Sequence, residues 1–494
     1  MEKQTENQTI KVLSGESFTP YALARKLDAR IILESATFEG GRARYSLLMV
    51  QEAFRISQHG EAIYFDDRAG GGDPTPTSRS TPASGSSPGP ASGRRYRIRS
   101  RARDILDVLA YFADQHKAPR QDFPFPAGGI GYLSYEFARF CDTIAFSDAA
   151  DPLGLPDAVF LFGHVLIVFD HYSDLLYLIG LNYRERSIDL EKALRRTEER
   201  IHDLNFNYLQ ETPREYSAEP VLEPGDQERF EEGVTRVREE IVAGNLLQGV
   251  LSRRRRIRTD MPALEAYRRL RSANPAPYLV YLDFGDFQLF AASPETHVGA
   301  RNGRVLMRPI AGTRRRGASD AEDAALEKEL LEDEKELAEH LMLVDLSRND
   351  LGRVCEPGSV EVTRFQGVER YSRVMHIVSQ VEGKLAPGKT GLDALRATFP
   401  AGTVSGAPKI RAIETIHGIE KLPRSFYAGV VLYVEPGGNL DSCITIRAGL
   451  RRGEELILQA GAGVVYDSIP EREFRETNEK LSALVRAVGL EAEA

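Results

Sequence analysis

Two pairs of glutamates have the spacing that most directly suggests chemistry. Glu336 and Glu339 lie in the segment EDEKELAEHLMLVDLSRNDLGR, and Glu473 and Glu476 lie in EREFRETNEK near the end of the chain. The members of each pair are three residues apart, so they share one face if the segment is helical. Two helices that each present a carboxylate pair could build an oxygen-lined Mg²⁺ site. For either pair alone the alternative is a solvated acidic face, but the apolar LMLV after Glu339 favours a partly buried turn.

Three further segments combine small residues with groups that can bind an anion. They are RPIAGTRRRG (Arg308–Gly317), PAGTVSGAPK (Pro400–Lys409) and QAGAGVV (Gln459–Val465). Backbone N–H groups approach a carboxylate closely where side chains are small or absent. An ordinary turn is the alternative for any one segment, but three of them in one half of the chain favour an anionic ligand.

Three single residues stand in contexts that suit catalysis or binding. Glu295, in ASPETH, follows an apolar strand, so a desolvated carboxyl suited to general-acid work is one interpretation and a surface carboxylate the other. His376, in SRVMHIVSQVEG, is a candidate acid–base group, with a satisfied core histidine as the alternative. Arg447, in CITIRAGL, is an arginine in an apolar strand and needs an anionic partner, either a structural carboxylate or a ligand.

The composition excludes several classes of function. The chain has 494 residues, with 64 Lys and Arg against 73 Asp and Glu and a formal net charge of −9, which argues against sequence-independent nucleic-acid binding. Its three cysteines are widely spaced and odd in number, as expected in a reducing compartment. The N-terminus lacks an apolar signal region, and the apolar run Ala158–Phe169 is too short to span a bilayer. We therefore expect a cytoplasmic protein that binds neither nucleic acid nor a membrane.

Apolar periodicity predicts the elements that must position these groups. Strands and helices alternate without a strict βαβ repeat, which predicts an α+β fold with mainly antiparallel sheets. A polar, proline-containing linker divides the chain into region 1–215 and region 225–490. The Gly/Pro/Ser-rich composition of segment 69–94 predicts a surface loop. The predicted helices include Glu228–Ala243, Glu322–Asn349 and Glu471–Val488, and the predicted strands include Leu247–Arg258, Tyr278–Phe290 and Glu454–Tyr466.

Taken together, the motifs resemble those of the chorismate-utilising enzymes. The resemblance covers roughly residues 227–488, with the motifs in the order that the family has, and it extends weakly through ILES (Ile32–Ser35) and GGIGYLSYE (Gly128–Glu136). It implies large antiparallel sheets packed face to face with helices outside. It also implies a tryptophan-binding strand in region 1–215, and a chorismate-binding catalytic region in 225–490.

The resemblance further implies a metal site and a substrate site. Glu339 and Glu476 resemble direct ligands of Mg²⁺, the implied cofactor, and Glu336 and Glu473 resemble partners that reach the ion through water. The residues that resemble the substrate-binding set are Thr403 beside the ring, Tyr427 and Arg447 at the enolpyruvyl carboxylate, and Gly461, Ala462 and Gly463, whose N–H groups would bind a carboxylate.

A few positions indicate which reaction of the family to expect. Glu295 resembles the general acid that protonates the departing C4 hydroxyl of chorismate, and His376 the group that assists the later elimination of pyruvate. Ala311 stands where the aminodeoxychorismate synthases usually carry a nucleophilic lysine. Isochorismate and salicylate synthases need a general-base lysine, and the segment LQGVLSRR (Leu247–Arg254), where we would look for it, has Gln248 and arginines instead. The resemblance therefore implies a lyase that makes anthranilate and pyruvate from chorismate and ammonia, the first step of tryptophan biosynthesis. The alternatives are aminodeoxychorismate synthase component I and a non-catalytic regulator that binds chorismate or tryptophan.

Ammonia requires a source, and the cysteines do not suggest one within this chain. A glutaminase needs a nucleophilic cysteine on a tight glycine turn, and RFCDT, RVCEP and DSCIT offer no such turn. The resemblance implies a separate glutamine amidotransferase subunit, and hence a hetero-oligomer.

Two segments resemble the parts of the family that bind tryptophan as a feedback inhibitor. ILES contributes Glu34 and Ser35, and NPAPYLVYL (Asn274–Leu282) contributes Pro275 and Tyr278. These residues would hold L-tryptophan between the two regions of the chain. A strand end is the alternative interpretation of ILES alone.

Overall fold

The computed structural model describes residues 7–35, 44–67, 94–99, 101–119, 123–146, 151–203, 214–371 and 374–491. The surface loop predicted at 69–94 lies, up to residue 93, outside the described residues.

The strands, numbered in chain order, are β1 Gln8–Ser14, β2 Ile31–Glu34, β3 Tyr45–His59, β4 Ala62–Asp67, β5 Arg94–Arg97, β6 Ile130–Leu133, β7 Ala158–Asp170, β8 Leu175–Leu181, β9 Ala218–Val221, β10 Gln248–Thr259, β11 Tyr278–Asp283, β12 Gln288–Ser293, β13 Thr296–Arg301, β14 Arg304–Met307, β15 Ile310–Arg315, β16 Glu361–Arg370, β17 Val374–Lys384, β18 Gly406–Ala407, β19 Val430–Val434, β20 Leu440–Ile444, β21 Ala448–Arg452 and β22 Glu455–Val464. The helices are α1 Pro20–Leu27, α2 Ile105–Ala113, α3 Leu190–His202, α4 Asp226–Val242, α5 Ala263–Ala273, α6 Asp320–Glu332, α7 Glu334–Gly352, α8 Gly391–Thr398, α9 Lys409–Glu420 and α10 Pro470–Ala487.

The strands form two antiparallel arms that diverge from the long strands β3 and β7. The first arm runs from β3 through β2, β11, β12, β21 and β22 to β10. The second runs from β7 through β6, β19, β20, β13, β14 and β17 to β16. One core cluster contains Leu282 and Leu450 of the first arm together with Leu432 and Val381 of the second, so the arms pack face to face. The predicted fold class is confirmed.

Helices cover the outer faces of both arms, as predicted. Alternate residues of the first arm, such as Tyr281 and Leu458, point away from the central core and pack against side chains of α1, α3, α5 and α10. Leu330 of α6 packs on Ile377 of β17 in the second arm. Within the described ranges, no helix is long and apolar enough to cross a membrane.

The helix predicted at Glu322–Asn349 is in fact two helices, α6 and α7, and Asp333 separates them. The Asp333 carboxylate accepts hydrogen bonds from the backbone N–H groups of Lys335 (3.1 Å) and Glu336 (3.2 Å), which caps the N-terminus of α7. It also receives the Arg314 guanidinium at 2.7 Å. The break places Glu336 and Glu339 in the first turns of a new helix rather than in the middle of a long one.

Strand pairing joins the two regions predicted from the sequence. Leu33 of β2 pairs with Val280 of β11, and Gly131 of β6 pairs with Leu432 of β19. The segments ILES and NPAPYLVYL, which are about 240 positions apart in the sequence, are therefore hydrogen-bonded neighbours.

Candidate functional site

Glu295 lies in the short link between β12 and β13 and is partly buried. Burial raises the pKa of its carboxyl group to about 7, while the nearby Thr403 hydroxyl and the charges of Arg447 and Lys480 act in the opposite direction. Thr403, in the turn Gly402–Val404, makes no hydrogen bond of ordinary geometry to any described residue through its hydroxyl. A carboxyl group that is still substantially protonated at neutral pH can act as a general acid, as predicted for Glu295.

Arg447 and Tyr427 supply groups that suit a carboxylate ligand. Arg447 follows β20 with a φ of 50°, a conformation that few non-glycine residues adopt. Among the described residues none accepts a hydrogen bond from its partly buried guanidinium, although Tyr427, Glu476 and Glu295 are near enough to oppose the lowering of its pKa by burial. Burial raises the pKa of Tyr427 to about 12, so its hydroxyl keeps the proton it can donate. Together they offer a fixed cation and a neutral donor.

The glycines predicted to bind a carboxylate lie in the last part of β22. One edge of this segment pairs with β10, where Ser252 is opposite Gly461 and Val250 is opposite Gly463. The other neighbour, β21, pairs only as far as Leu458, so the described strands leave that edge of the glycine segment open. Its N–H groups are donors without a strand partner.

Neighbouring groups approach both glycines closely, and at Gly461 the neighbour is backbone, which cannot move aside. A Cβ atom at Gly461 would lie 2.7 Å from the Leu251 carbonyl oxygen and 3.0 Å from Tyr427 Oη. A Cβ atom at Gly463 would lie 2.8 Å from Gln248 Nε2. Ala462 belongs to the apolar cluster beneath α4 and α9, so its side chain serves packing.

The two glutamate pairs lie on α7 and α10, and Lys335 of α7 is near enough to Glu473 of α10 to affect its pKa. Burial and the neighbouring Glu339 raise the pKa of Glu336. Burial and the charge of Glu476 also raise the pKa of Glu473, with burial the larger effect. A hydrogen bond from Ser468 and the charge of Lys335 of α7 act in the opposite direction. Each pair therefore carries mutual repulsion in a partly desolvated place, which a cation would relieve.

Two contacts that the sequence did not reveal hold the glutamates in position. Gln248 Nε2 donates a hydrogen bond to Glu339 Oε1 at 2.9 Å. Lys480 Nζ lies 2.5 Å from Glu476 Oε1 and donates to the Gly461 carbonyl at 2.8 Å. Lys480 follows Glu476 by four positions, so helical spacing was the signal that would have identified it. These contacts tie both helices to β10 and β22.

The glutamate set fits a magnesium ion by its chemistry. Within the described part of the chain, no three His, Cys, Asp or Glu side chains are arranged to enclose a metal ion. Mg²⁺ does not require such a cage, because it is usually held by one or two carboxylates and completes its shell with water and substrate oxygens. Glu339 of α7 and Glu476 of α10 are carboxylates of the kind that such a site uses.

His376 lies on β17 opposite Thr313 of β15. Its Nδ1 is 3.1 Å from the Gly312 carbonyl oxygen and 3.0 Å from Thr313 Oγ1. Burial lowers the pKa of His376, so the ring is neutral at pH 7, and a proton on Nδ1 that binds the Gly312 carbonyl leaves Nε2 with its lone pair. A Cβ atom at Gly312 would lie 3.3 Å from Glu336 Oε2, so the β15–β17 strand pair adjoins the glutamates of α7.

Three of the four residues predicted to bind tryptophan line a cavity of about 360 Å³ beside the β2–β11 pair. Ser35 and Tyr278 line it. Glu34 also lines it, but its carboxylate already accepts hydrogen bonds from Tyr267 at 2.6 Å and from Arg271 at 2.7 and 2.9 Å. Pro275 is exposed and does not belong to the lining. The volume lies within the range of about 300–1,000 Å³ typical of small-molecule sites.

Tyr278 connects this cavity to the vicinity of Glu295. Its hydroxyl group lies 3.0 Å from Thr296 Oγ1 and donates to Asp441 Oδ1 at 3.1 Å. Thr296 is the residue after Glu295, so the cavity and the general-acid candidate share a short segment of chain.

Comparisons with known proteins agree with this geometry. Residues 63–486 match the family described as chorismate binding enzyme. The anthranilate synthase component 1 of Spirochaeta aurantia is 57% identical over 98% of this chain and 95% of its own length, and that of Aquifex aeolicus is 36% identical over 100% and 97%. The crystal structure of anthranilate synthase component I from Streptococcus pneumoniae superposes with a TM-score of 0.76 at 34% identity, and covers 96% of this chain and 99% of that one.

Proposed function

The chain belongs to the family of chorismate binding enzymes, and from that premise we propose that it converts chorismate and ammonia to anthranilate, pyruvate and water with the help of Mg²⁺. The sequence-based assignment to the component 1 type of anthranilate synthase is confirmed by relatives of that name along nearly the whole chain. The observation that carries the mechanism is the meeting of Glu295, a carboxyl with a pKa raised to about 7, and Arg447, a guanidinium without a hydrogen-bond acceptor among the described residues.

Binding comes first. The Arg447 guanidinium and the Tyr427 hydroxyl would hold the enolpyruvyl carboxylate, and the N–H groups on the open edge of β22 would hold it from the other side. Glu339 and Glu476 would bind Mg²⁺, with Glu336 and Glu473 as partners through water. When bound, the ion supplies positive charge that neutralises the ring carboxylate of chorismate.

In the first chemical step Glu295 gives its proton to the C4 hydroxyl, whose C–O bond breaks so that the oxygen leaves as water. Ammonia forms a new C–N bond at C2, and both conjugated ring double bonds move, C1=C2 to C1=C6 and C5=C6 to C4=C5, as the C4–O bond breaks. The attacking nitrogen then releases one proton. Protonation is needed because hydroxide is a poor leaving group.

In the second step the Nε2 atom of His376 would remove the proton from C2. The C3–O bond breaks, enolpyruvate leaves and takes up a proton to become pyruvate, and the ring becomes aromatic. The fixed contact of Nδ1 with the Gly312 carbonyl orients the imidazole for this role.

The nature of the nucleophile follows from Ala311 on β15. A methyl side chain cannot attack C2, so ammonia itself reacts there and the product is the ortho amine. Burial raises the pKa of all three cysteines, Cys141, Cys355 and Cys443, so none has the lowered pKa of a glutaminase nucleophile. We therefore infer that a separate glutamine amidotransferase subunit supplies the ammonia.

The cavity beside β2 and β11 is the proposed site of feedback inhibition by L-tryptophan. Ser35 and Tyr278 offer hydroxyl groups at its wall, and Glu34 lies within reach, although Arg271 already compensates its charge. A ligand there would act on Thr296 through Tyr278, one residue away from Glu295.

One experiment tests the reaction. Purified protein is incubated with chorismate, Mg²⁺ and ammonium, and the products are separated and identified. We expect ortho-aminobenzoate and pyruvate in equal amounts, and no product from glutamine until an amidotransferase subunit is added. A para-amino or hydroxylated product would indicate one of the sister activities. Binding of chorismate without any product, at every ammonia concentration, would favour a regulatory protein.

A further inference from the structure

A small cavity of about 20 Å³ adjoins Glu295. Glu295, His297 and Thr403 line it, with Arg308 and Asp350 at other parts of the wall. Asp350 is paired with Lys409 at 2.6 Å, so its charge is compensated. Apolar side chains complete the wall, and its polar groups come from β13 and the link before it, the Thr403 turn, the link between β14 and β15, and helix α7.

Several polar atoms at this wall make no hydrogen bond of ordinary geometry to a described residue. His297 is 1% exposed, and neither of its ring nitrogens makes a hydrogen bond of ordinary geometry. The same holds for Thr403 Oγ1 and Arg308 Nε. Burial lowers the pKa of His297 to about 3, and the charge of Lys409 contributes a smaller part of this effect. The nearby Thr398 carbonyl offsets part of the shift, and the ring is neutral. Unsatisfied polar atoms are rare in folded interiors and are commonly paired by ordered water.

We propose that this cavity holds one water molecule, bound by His297 and Thr403, which returns a proton to Glu295 between turnovers. A cavity needs about 10–15 Å³ to accept one water, so this one is large enough for one and too small for a second substrate. A neutral imidazole has one donor and one acceptor nitrogen, the threonine hydroxyl can donate or accept, and Arg308 Nε donates. These partners complete the two to four hydrogen bonds that a buried water requires.

The relay rests on the proposed function. In each turnover Glu295 gives a proton to the departing oxygen and is left as a carboxylate. The attacking nitrogen releases one proton, so the cycle balances when that proton reaches Glu295. The water would accept a proton and donate one of its own to the carboxylate. Arg447 and Lys480, which face Glu295 from the other elements, are cations and favour the carboxylate, so a path for reprotonation is needed.

Two variants of similar size test the proposal. His297→Leu removes both ring nitrogens, so the water loses its histidine partner and keeps only Thr403 and Arg308. His297→Gln keeps one donor and one acceptor. For His297→Leu we expect kcat to fall about tenfold or more, within the range that a general acid contributes, with KM little changed. Loss of a hydrogen bond to the carboxylate would also move the basic limb of the kcat–pH profile upward by about one pH unit. His297→Gln is expected to restore both properties.

A dry cavity would give the opposite result. If the cavity is dry, His297→Leu removes two unsatisfied atoms, so it should raise the melting temperature and leave kcat and its pH profile as they are. That outcome would overturn the proposal. A high-resolution crystal structure tests the water independently of turnover, since a peak within hydrogen-bond distance of His297 and Thr403 is required. If the crystal structure shows this water but the protein does not turn over chorismate, the relay and the proposed function are both refuted, and only the water site remains.

Discussion

Replacing Glu295 by glutamine separates the catalytic role of this carboxyl group from its cost to stability. Glutamine has nearly the same shape but cannot give up a proton as an acid. A general acid typically contributes about 10²–10⁴-fold, so kcat of Glu295→Gln should fall by about that factor. In the wild type the active form is the protonated one, so kcat should decline as the pH rises through about 7, the pKa that burial gives this group.

The same pKa predicts the effect on stability. A glutamate with an ordinary pKa of 4.5 ionises in the unfolded chain, whereas in the folded chain Glu295 keeps its proton up to a pKa of about 7. Between these values the unfolded chain binds fewer protons than the folded one, so stability falls as the pH rises and remains at the lower level above about pH 7. The loss is at most about 3 kcal/mol at 1.36 kcal/mol for each pKa unit. Glutamine avoids it, so Glu295→Gln should be more stable than the wild type by up to about that amount at pH 8, and equally stable near pH 4.5.

The assay combines steady-state kinetics with urea unfolding at several pH values. The exposed Glu334, on helix α7, gives the control Glu334→Gln, for which neither kcat nor the pH dependence of stability should change. If Glu295→Gln retained more than about a tenth of the wild-type kcat, the general-acid role would be wrong. If its stability relative to the wild type were the same at pH 4.5 and pH 8, the raised pKa would be wrong.

Three further predictions concern the metal, the substrate and the effector. Glu339→Ala and Glu476→Ala should each lower activity by about 10²-fold or more at any practical Mg²⁺ concentration, because the ion supplies several kcal/mol of charge stabilisation. The control Glu334→Ala should keep full activity, and the far-UV circular dichroism spectrum should be the same for all three variants. Tyr427→Phe should raise KM for chorismate about tenfold, the loss expected for one hydrogen bond to a charged group, and a KM like that of the wild type would exclude the hydroxyl from binding. Ser35→Leu should fill part of the 360 Å³ cavity and raise the tryptophan concentration for half-inhibition about tenfold or more without a similar loss of kcat; unchanged inhibition would place the effector elsewhere.

Much of the fold could be predicted because periodicity is a local property. The strand around His376 and the closing helix with Glu473 and Glu476 were read from patterns of a few residues, and both are present as β17 and α10. The break at Asp333 was not predicted. Both sides of it have helical composition, and the Asp333 carboxylate that caps α7 also binds Arg314, which is 19 positions away.

Sequence alone determined the residue types that chemistry needs: the spaced glutamates, Glu295 after an apolar strand, the glycines of β22 and Ala311 in place of a lysine. Their order along the chain also indicated the family. Only the tertiary structure decided how these groups are charged and paired. The carboxyl of Glu295 has a pKa of about 7 because the folded arms desolvate it, and Glu34 is compensated because Arg271 packs beside it. Desolvation and pairing depend on residues brought together from distant parts of the chain, and no local pattern records them.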